Sequence, residues 1–218
     1  MNVHYARIRK GMGAALLAVI VGTGSAWAQN PEETPFNISA RAGVAIPAGE
    51  LWQMLDPGVH AGAALSYYFD KHVGVRAEFA ADFLNDREDS TGGTPSPGMT
   101  LLHFNGGVEF NFARPSGQSL PLTFVAGIGA GATSATASES YADDSSVDFS
   151  STVFTANASA EVGWQFNPNV NVFLGFYAYL MKFSEEDTQV FADRSPDVEA
   201  FGWAYSFPIT LGVKFTPS

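Results

Sequence analysis

Six charged residues on one parity of an alternating sequence are the best candidates for chemistry in this chain. Three are basic and three are acidic: Arg41, Arg76, Glu78, Glu109, Glu161 and Lys214. Residues of equal parity in a β-strand point to one face, so strands that enclose an interior would bring these six together. An isolated buried ion is costly, so the six charges must pair or be hydrated. They predict an ion-paired interior, either a static polar core or a salt-bridge gate for ions.

His60 and Asp82 share this parity and are expected to face each other near one rim. A His–Asp pair performs hydrolysis only beside a placed nucleophile, and the sequence places none there. The chain contains no cysteine, which excludes thiolate chemistry and disulfides. The sequence therefore predicts no catalytic residue, no cofactor and no dedicated metal site.

Acidic residues concentrate in three stretches, 86–89, 139–148 and 185–199. All 22 acidic residues but only 8 of the 11 basic ones follow residue 28, so the chain beyond it carries a formal charge of −14. Such a charge excludes nucleic acid as a partner. Solvated loops are the simplest interpretation of the stretches, and loose bridging to lipopolysaccharide through divalent cations is the alternative.

The elements that must position these residues are eight segments of alternating apolar and polar residues. The last is the clearest, with Trp203, Tyr205 and Phe207 on one parity and Ala204 and Ser206 on the other. The predicted strands cover approximately residues 36–46, 59–69, 73–83, 101–113, 122–133, 153–166, 170–182 and 201–215. Short connections at 70–72, 114–119 and 167–169 alternate with long ones at 46–59, 83–101, 133–153 and 182–201. Short turns on one rim and long loops on the other are typical of a transmembrane β-barrel.

The apolar parity is expected to face outward, because the opposite parity is rich in Gly, Ala, Ser and Asn, which suit a crowded interior. Aromatic residues of the apolar parity fall near the short turns and would form a girdle at one membrane interface: Phe36, Tyr67, Phe69, Phe110, Phe112, Trp164, Phe166 and Phe215. A soluble, lipocalin-like barrel would place the apolar face inside. The strands at 122–133 and 170–182 are ambiguous, the second because Phe173, Tyr177 and Tyr179 oppose Phe176.

The first 28 residues have the features of a cleaved signal peptide. Arg7, Arg9 and Lys10 precede an apolar run at 12–21, and Ala26-Trp27-Ala28 forms a small-x-small site before Gln29. An uncleaved anchor is the weaker alternative, because the run is about half the roughly 20 residues of a spanning helix. The predicted domains are a signal peptide at 1–28 and one β-barrel at 29–218.

Three sequence phrases carry a family resemblance: RAGVAIPAG at 41–49, GAALSYYF at 62–69 and VGVRAEF at 73–79. Together with the leader, the eight strands and the alternating connections, they resemble the small outer-membrane β-barrel family that includes OmpX and the transmembrane domain of OmpA. The resemblance implies an all-β, eight-stranded antiparallel up-and-down barrel. Its expected location is the cell outer membrane, as a monomer in contact with outer-membrane lipid, lipopolysaccharide and the assembly machinery.

The function expected from this resemblance is non-enzymatic, either structural or a surface interaction in adhesion or defence through the long acidic loops. A narrow gated channel for ions or small solutes is the first alternative. A lipid A-modifying enzyme is the second, although a deacylase of that kind would show a His-x-Ser pair, and none of His60, His72 and His103 begins one. The sequence does not identify a surface ligand.

Overall fold

The computed structural model describes residues 36–70, 72–86, 98–112, 122–140, 146–184, 186, 188 and 202–217. These residues include ten β segments and the short helix α1 (Leu51–Met54), and Glu186 and Thr188 are also helical. The segments are β1 (Phe36–Ala45), β2 (Pro47–Gly49), β3 (Leu55–Tyr68), β4 (Val73–Asp86), β5 (Thr100–Asn111), β6 (Leu122–Ser140), β7 (Ser146–Asn167), β8 (Val170–Lys182), β9 (Trp203–Ser206) and β10 (Ile209–Phe215). The predicted leader, the connection at 114–119 and most of the acidic stretches lie outside the described residues.

The ten segments form one closed antiparallel ring of eight strands. Neighbouring strands pair in chain order, and β1 pairs with β10, which joins the last strand to the first. β1 and β2 act as one strand, as do β9 and β10, because β2 continues the same pairing with β9. The prediction of an eight-stranded up-and-down barrel is confirmed.

The two faces of the wall are those predicted from parity. The aromatic side chains of the predicted girdle are all exposed on the outside, as are Val59, Leu65, Val75 and Leu211. Ser39, Arg41, Ser66, Arg76 and Glu78 are buried inside. The two ambiguous strands follow the same rule. In β8, Phe173, Tyr177 and Tyr179 point inward whereas Leu174 and Phe176 are exposed, and in β6 Val125 is buried whereas Phe124 and Ile128 are exposed.

Two of the predicted long connections are instead largely strand. The segment 133–153 was predicted as a loop, but β6 and β7 continue through most of it and pair as far as Ser140 with Ser146. The extension has an apolar inner face, on which Ala135, Phe149 and Val153 are buried, and this burial favours continued pairing. The connection at 46–59 likewise contains β2, α1 and the first residues of β3, and Leu51 and Leu55 are buried there.

The last strand, which has the clearest alternation, is interrupted at Phe207 and Pro208. Proline has no amide hydrogen for the ladder, so β9 ends before it and β10 begins after it. The neighbouring groups still find partners, because Tyr177 N donates to Pro208 O at 3.0 Å and Phe207 N donates to Ile46 O at 2.8 Å. The parity therefore continues unchanged through the break.

A glycine allows an aromatic ring to pack flat against the inner wall. A Cβ added to Gly212 would lie 2.3 Å from the Phe173 ring, so only glycine fits there. None of the described residues belongs to a helix that is long and apolar enough to span a membrane.

An arginine substitution on the outer face tests whether this face of the barrel contacts lipid. Ala77 is exposed, near the middle of its strand, and Val73 lies on the same parity at the turn. Ala77→Arg should destabilise the barrel by about 2–4 kcal/mol and Val73→Arg by about 0–1 kcal/mol, because the cost of a lipid-facing charge depends on depth. Urea titration of folding into lipid vesicles measures both variants, and equal costs would contradict the proposed membrane face.

Candidate functional site in the barrel interior

The interior of the barrel is filled in three successive layers of side chains. The first, here called the charge cluster, consists of the six predicted charges: Arg41, Arg76, Glu78, Glu109, Glu161 and Lys214. Above it, toward the long connections, lies the histidine layer: His60, Asp82, His103, Thr133, Thr155 and Ser206. The third is the apolar cap: Ala45, Leu51, Leu55, Leu84, Met99, Leu101, Ala135, Phe149, Val153, Met181, Phe183 and Ala204.

The structure brings the charge cluster together as ion pairs with shared partners. Lys214 Nζ lies 3.2 Å from Glu109 Oε1 and 3.0 Å from Glu161 Oε2. Arg76 Nη1 lies 2.6 Å from Glu161 Oε1. Arg76 and Lys214 therefore share Glu161, and the lower part of the cluster is a network rather than a set of isolated pairs.

Glu78 joins the two arginines at the upper end of the cluster. Its Oε2 atom lies 3.1 Å from both Arg41 Nη2 and Arg76 Nη2. The three bases and three carboxylates thus form one connected group that joins five strands, β1, β4, β5, β7 and β10. Their formal charges cancel, which removes most of the cost of burying them.

Hydroxyl groups complete the hydrogen bonding of the carboxylates. Tyr177 OH donates to Glu161 Oε1 at 2.7 Å, and Tyr179 OH donates to Glu78 Oε1 at 2.5 Å. Glu109 accepts from Ser66 Oγ at 2.7 Å and from Tyr68 OH. Hydrogen bonds of this kind to a charged acceptor are stronger than neutral ones and fix the carboxylate positions.

Sequence reasoning did not assign the tyrosines to the cluster. Tyr177 and Tyr179 lie on a strand whose parity was ambiguous. The register provides the missing signal, because Tyr177 and Tyr179 pair with Ser159 and Asn157, which continue the inward parity of Glu161. The Tyr177 ring also packs beneath Arg41, with the guanidinium carbon 3.9 Å from the ring centroid.

The histidine layer contains the predicted His60 and Asp82 pair and extends it. Arg41 Nε donates to His60 Nε2 at 3.1 Å, so the proton of the neutral imidazole lies on Nδ1. That proton is donated to Asp82 Oδ1 at 2.5 Å. Asp82 Oδ2 accepts from Ser206 Oγ at 2.6 Å and lies 3.2 Å from His103 Nε2. Asp82 thus connects its own strand, β4, to three others, β3, β5 and β9.

A hydroxyl, an imidazole and a carboxylate follow one another in this layer in the order of a hydrolytic triad. Thr133 Oγ1 lies 2.8 Å from His103 Nδ1, and Thr155 Oγ1 lies 2.5 Å from Thr133 Oγ1. All of these groups are fully buried. Neither of the two described cavities is lined by any of these groups.

The apolar cap closes the interior above the histidine layer. Leu84, Leu101, Ala135 and Met181 each lie two positions from a polar residue of the interior on the same strand, and all are buried. α1 adds Leu51 to this layer from the first long connection. In the described part of the chain, no group of His, Asp and Glu is arranged to hold a metal ion.

Comparison with known proteins identifies relatives of the fold. Residues 14–217 match the family described as outer membrane protein beta-barrel domain. A search among curated protein sequences finds no significant match.

Solved structures with the same architecture include the neisserial surface protein A, at 14% identity and a TM-score of 0.56, covering 84% of this chain and 97% of that one. The N-terminal barrel of Pseudomonas aeruginosa OprF is 10% identical, with a TM-score of 0.46 over 84% and 98% of the two chains. Yersinia pestis Ail with the heparin analogue sucrose octasulfate is 14% identical, with a TM-score of 0.45 over 83% and 99%.

Removing one member of the charge cluster should cost far more than an outward substitution. Glu109→Gln leaves Lys214 with only Glu161, and Lys214→Met leaves two carboxylates facing one arginine. Breaking a buried pair in this way is expected to cost about 3–5 kcal/mol. The control is Leu211→Met on the lipid face, expected to change stability by less than about 1.5 kcal/mol.

Denaturant titration in detergent or lipid measures the change in unfolding free energy for each of the three variants. Costs for Glu109→Gln and Lys214→Met that match the lipid-face control would show that the cluster does not hold the interior together.

Proposed function

Because the chain belongs to the outer membrane protein beta-barrel domain family, we propose that it is a non-enzymatic surface protein whose barrel supports long acidic loops that contact partners. The barrel lies in the cell outer membrane, as its family and its apolar outer face show. Mature protein is expected to comprise residues 29–218, as a monomer folded by the outer-membrane assembly machinery.

The filled interior is the observation that carries this proposal. Ion pairs, hydrogen-bonded histidines and the apolar cap occupy successive levels, and an eight-stranded barrel is only wide enough for side chains to fill. Within the described residues this packing leaves no wide passage, and His60 and His103 are buried in the interior. The parts left to interact with other molecules are the outer rim and its loops.

The charge of the loops indicates the chemistry of the partner. The acidic stretches at 86–89, 139–148 and 185–199 contain only Arg87 and Arg194 as basic residues. A polyanion would be repelled by such a surface, whereas a basic protein surface would be attracted. Lipopolysaccharide is the other expected contact, with divalent cations between its phosphates and the loop carboxylates.

Neutralising the loops tests this proposal. Replacement of the acidic residues in the three stretches by Asn and Gln should abolish capture of basic surface proteins and Mg²⁺-dependent binding to lipopolysaccharide vesicles. In the control, the five Ser and Thr residues of the same stretches become Asn, which leaves the charge unchanged: Ser140, Ser145, Ser146, Thr188 and Ser195. Binding that is equal in both variants would refute a role for the loop charges.

A narrow gated channel is the alternative function, and the sharing of carboxylates favours it. Glu109 and Glu161 both contact Lys214, and both also approach Arg76, so partner exchange needs only small side-chain movements. Against it, the apolar cap lies between this cluster and the outside.

Single-channel recording separates the two functions. We expect little conductance from the wild-type barrel and from Glu109→Gln, with a loss of stability in the variant. Regular wild-type openings whose frequency shifts in Glu109→Gln at unchanged stability would establish the channel instead. Lipid A mass spectrometry with and without the protein tests the enzymatic alternative, and a changed acyl pattern would overturn the non-enzymatic assignment.

A further inference from the structure

A small cavity lies beside the charge cluster, between β5, β6 and β7. Its volume is about 10 Å³, and its lining includes Arg76, Asn105, Gly107, Gly127, Asn157 and Ser159. The glycines keep side chains out of this part of the interior. A volume of this size holds about one water molecule.

Five buried polar atoms of residues lining this cavity have no hydrogen-bond partner among the described residues. They are Arg76 Nε and Nη2, Asn105 Nδ2 and Oδ1, and Asn157 Oδ1. Arg76 Nη2 lies 3.1 Å from Glu78 Oε2 but makes no hydrogen bond to it. Asn105 is only 7% exposed. Nearly all buried polar groups in proteins are hydrogen-bonded, so these atoms require a partner other than the side chains and backbone of the described residues.

The mixture of donors and acceptors defines that partner. Arg76 and the Asn105 amide nitrogen can donate, whereas the two Asn oxygens can only accept. A cation would be repelled by the Arg76 guanidinium, and an anion by Glu78 and the amide oxygens. A neutral molecule that both donates and accepts satisfies all of them.

We propose that this cavity is a binding site for one ordered water molecule that links Arg76, Asn105 and Asn157. The bridge gives Arg76 partners on the glycine side of the interior in addition to its carboxylates on the other side. It is independent of the function proposed for the loops.

A second, larger cavity supplies a source of water near the short turns. Its volume is about 60 Å³, and Tyr68, Thr123, Val125, Asn171 and Lys214 are among its lining residues. Val125 and Gly127 are consecutive inward positions of β6, so the two cavities follow one another along this strand. Water would exchange with the bridging site from this end of the barrel.

Filling the small cavity in two ways tests the proposal. A Cβ on Gly127 would lie 2.7 Å from Ser159 Oγ, which can rotate away, and 3.5 Å from Val108 O. Gly127→Ala should displace the water and leave its partners unsatisfied, which raises the unfolding equilibrium constant roughly tenfold. Gly127→Ser should restore the hydrogen bonds through its hydroxyl group and remain close to the control.

The control is Gly106→Ala. The backbone of Gly106 also lines the cavity, but its Cβ would point outward with only Arg76 O, at 3.9 Å, nearby. It corrects for the general effect of replacing a strand glycine. If Gly127→Ala is at least as stable as this control, the cavity of the wild type holds no water. If Gly127→Ala and Gly127→Ser lose equal stability, the effect is steric. Either result overturns the proposal.

Wild-type protein gives a second test that does not depend on folding of a variant. Nuclear Overhauser effects from a long-lived water to the Asn105 side-chain amide and the Gly127 backbone amide are expected. Their absence would contradict the water site. Anomalous scattering at the cavity from crystals soaked in bromide or rubidium would show an ion instead and would also overturn the proposal.

Discussion

Mutual neutralisation of charges in a narrow interior is the constraint on which the rest of this barrel depends. Six ionised side chains are buried together, and each is stable there only because the others are present. Shared ion-pair partners extend this neutralisation across the interior, because Glu161 pairs with both Arg76 and Lys214. Strands from opposite sides of the ring are thereby joined through the centre, where a hydrophobic core would join the layers of a soluble protein.

The side chains of the barrel wall and the apolar cap pack around the charge cluster. Tyr177 and Tyr179 fill the space beside the arginines and donate hydrogen bonds to their carboxylates. Small residues on β6, such as Gly127 and Gly129, leave room opposite them. Above the ions, Leu101 and Met181 replace polar side chains on the same inner face, so the interior changes from charged to apolar toward the outer rim. A polar core with an apolar closure suits a support for loops better than a conduit.

Much of this arrangement could be predicted from the sequence, because a strand has only two faces. Parity alone assigned Arg41, Glu109 and Lys214 to one interior and the aromatic girdle to the outside. Parity does not report how far pairing continues, so the extension of β6 and β7 to Ser140 and Ser146 was missed. It also fails where both faces are apolar, which concealed Tyr177 and the cap. Those assignments require the register between strands, which a single sequence does not contain.

A double-mutant cycle between Arg76 and Glu161, whose charged atoms are 2.6 Å apart, tests the central claim most directly. Arg76→Met, Glu161→Gln and the double variant are compared with the wild type by denaturant titration in lipid. Shared burial predicts a coupling of at least about 1.5 kcal/mol, with the double variant more stable than the sum of the single losses implies. Additive losses would show that the two charges do not depend on each other, and would contradict an interior held together by ion pairs.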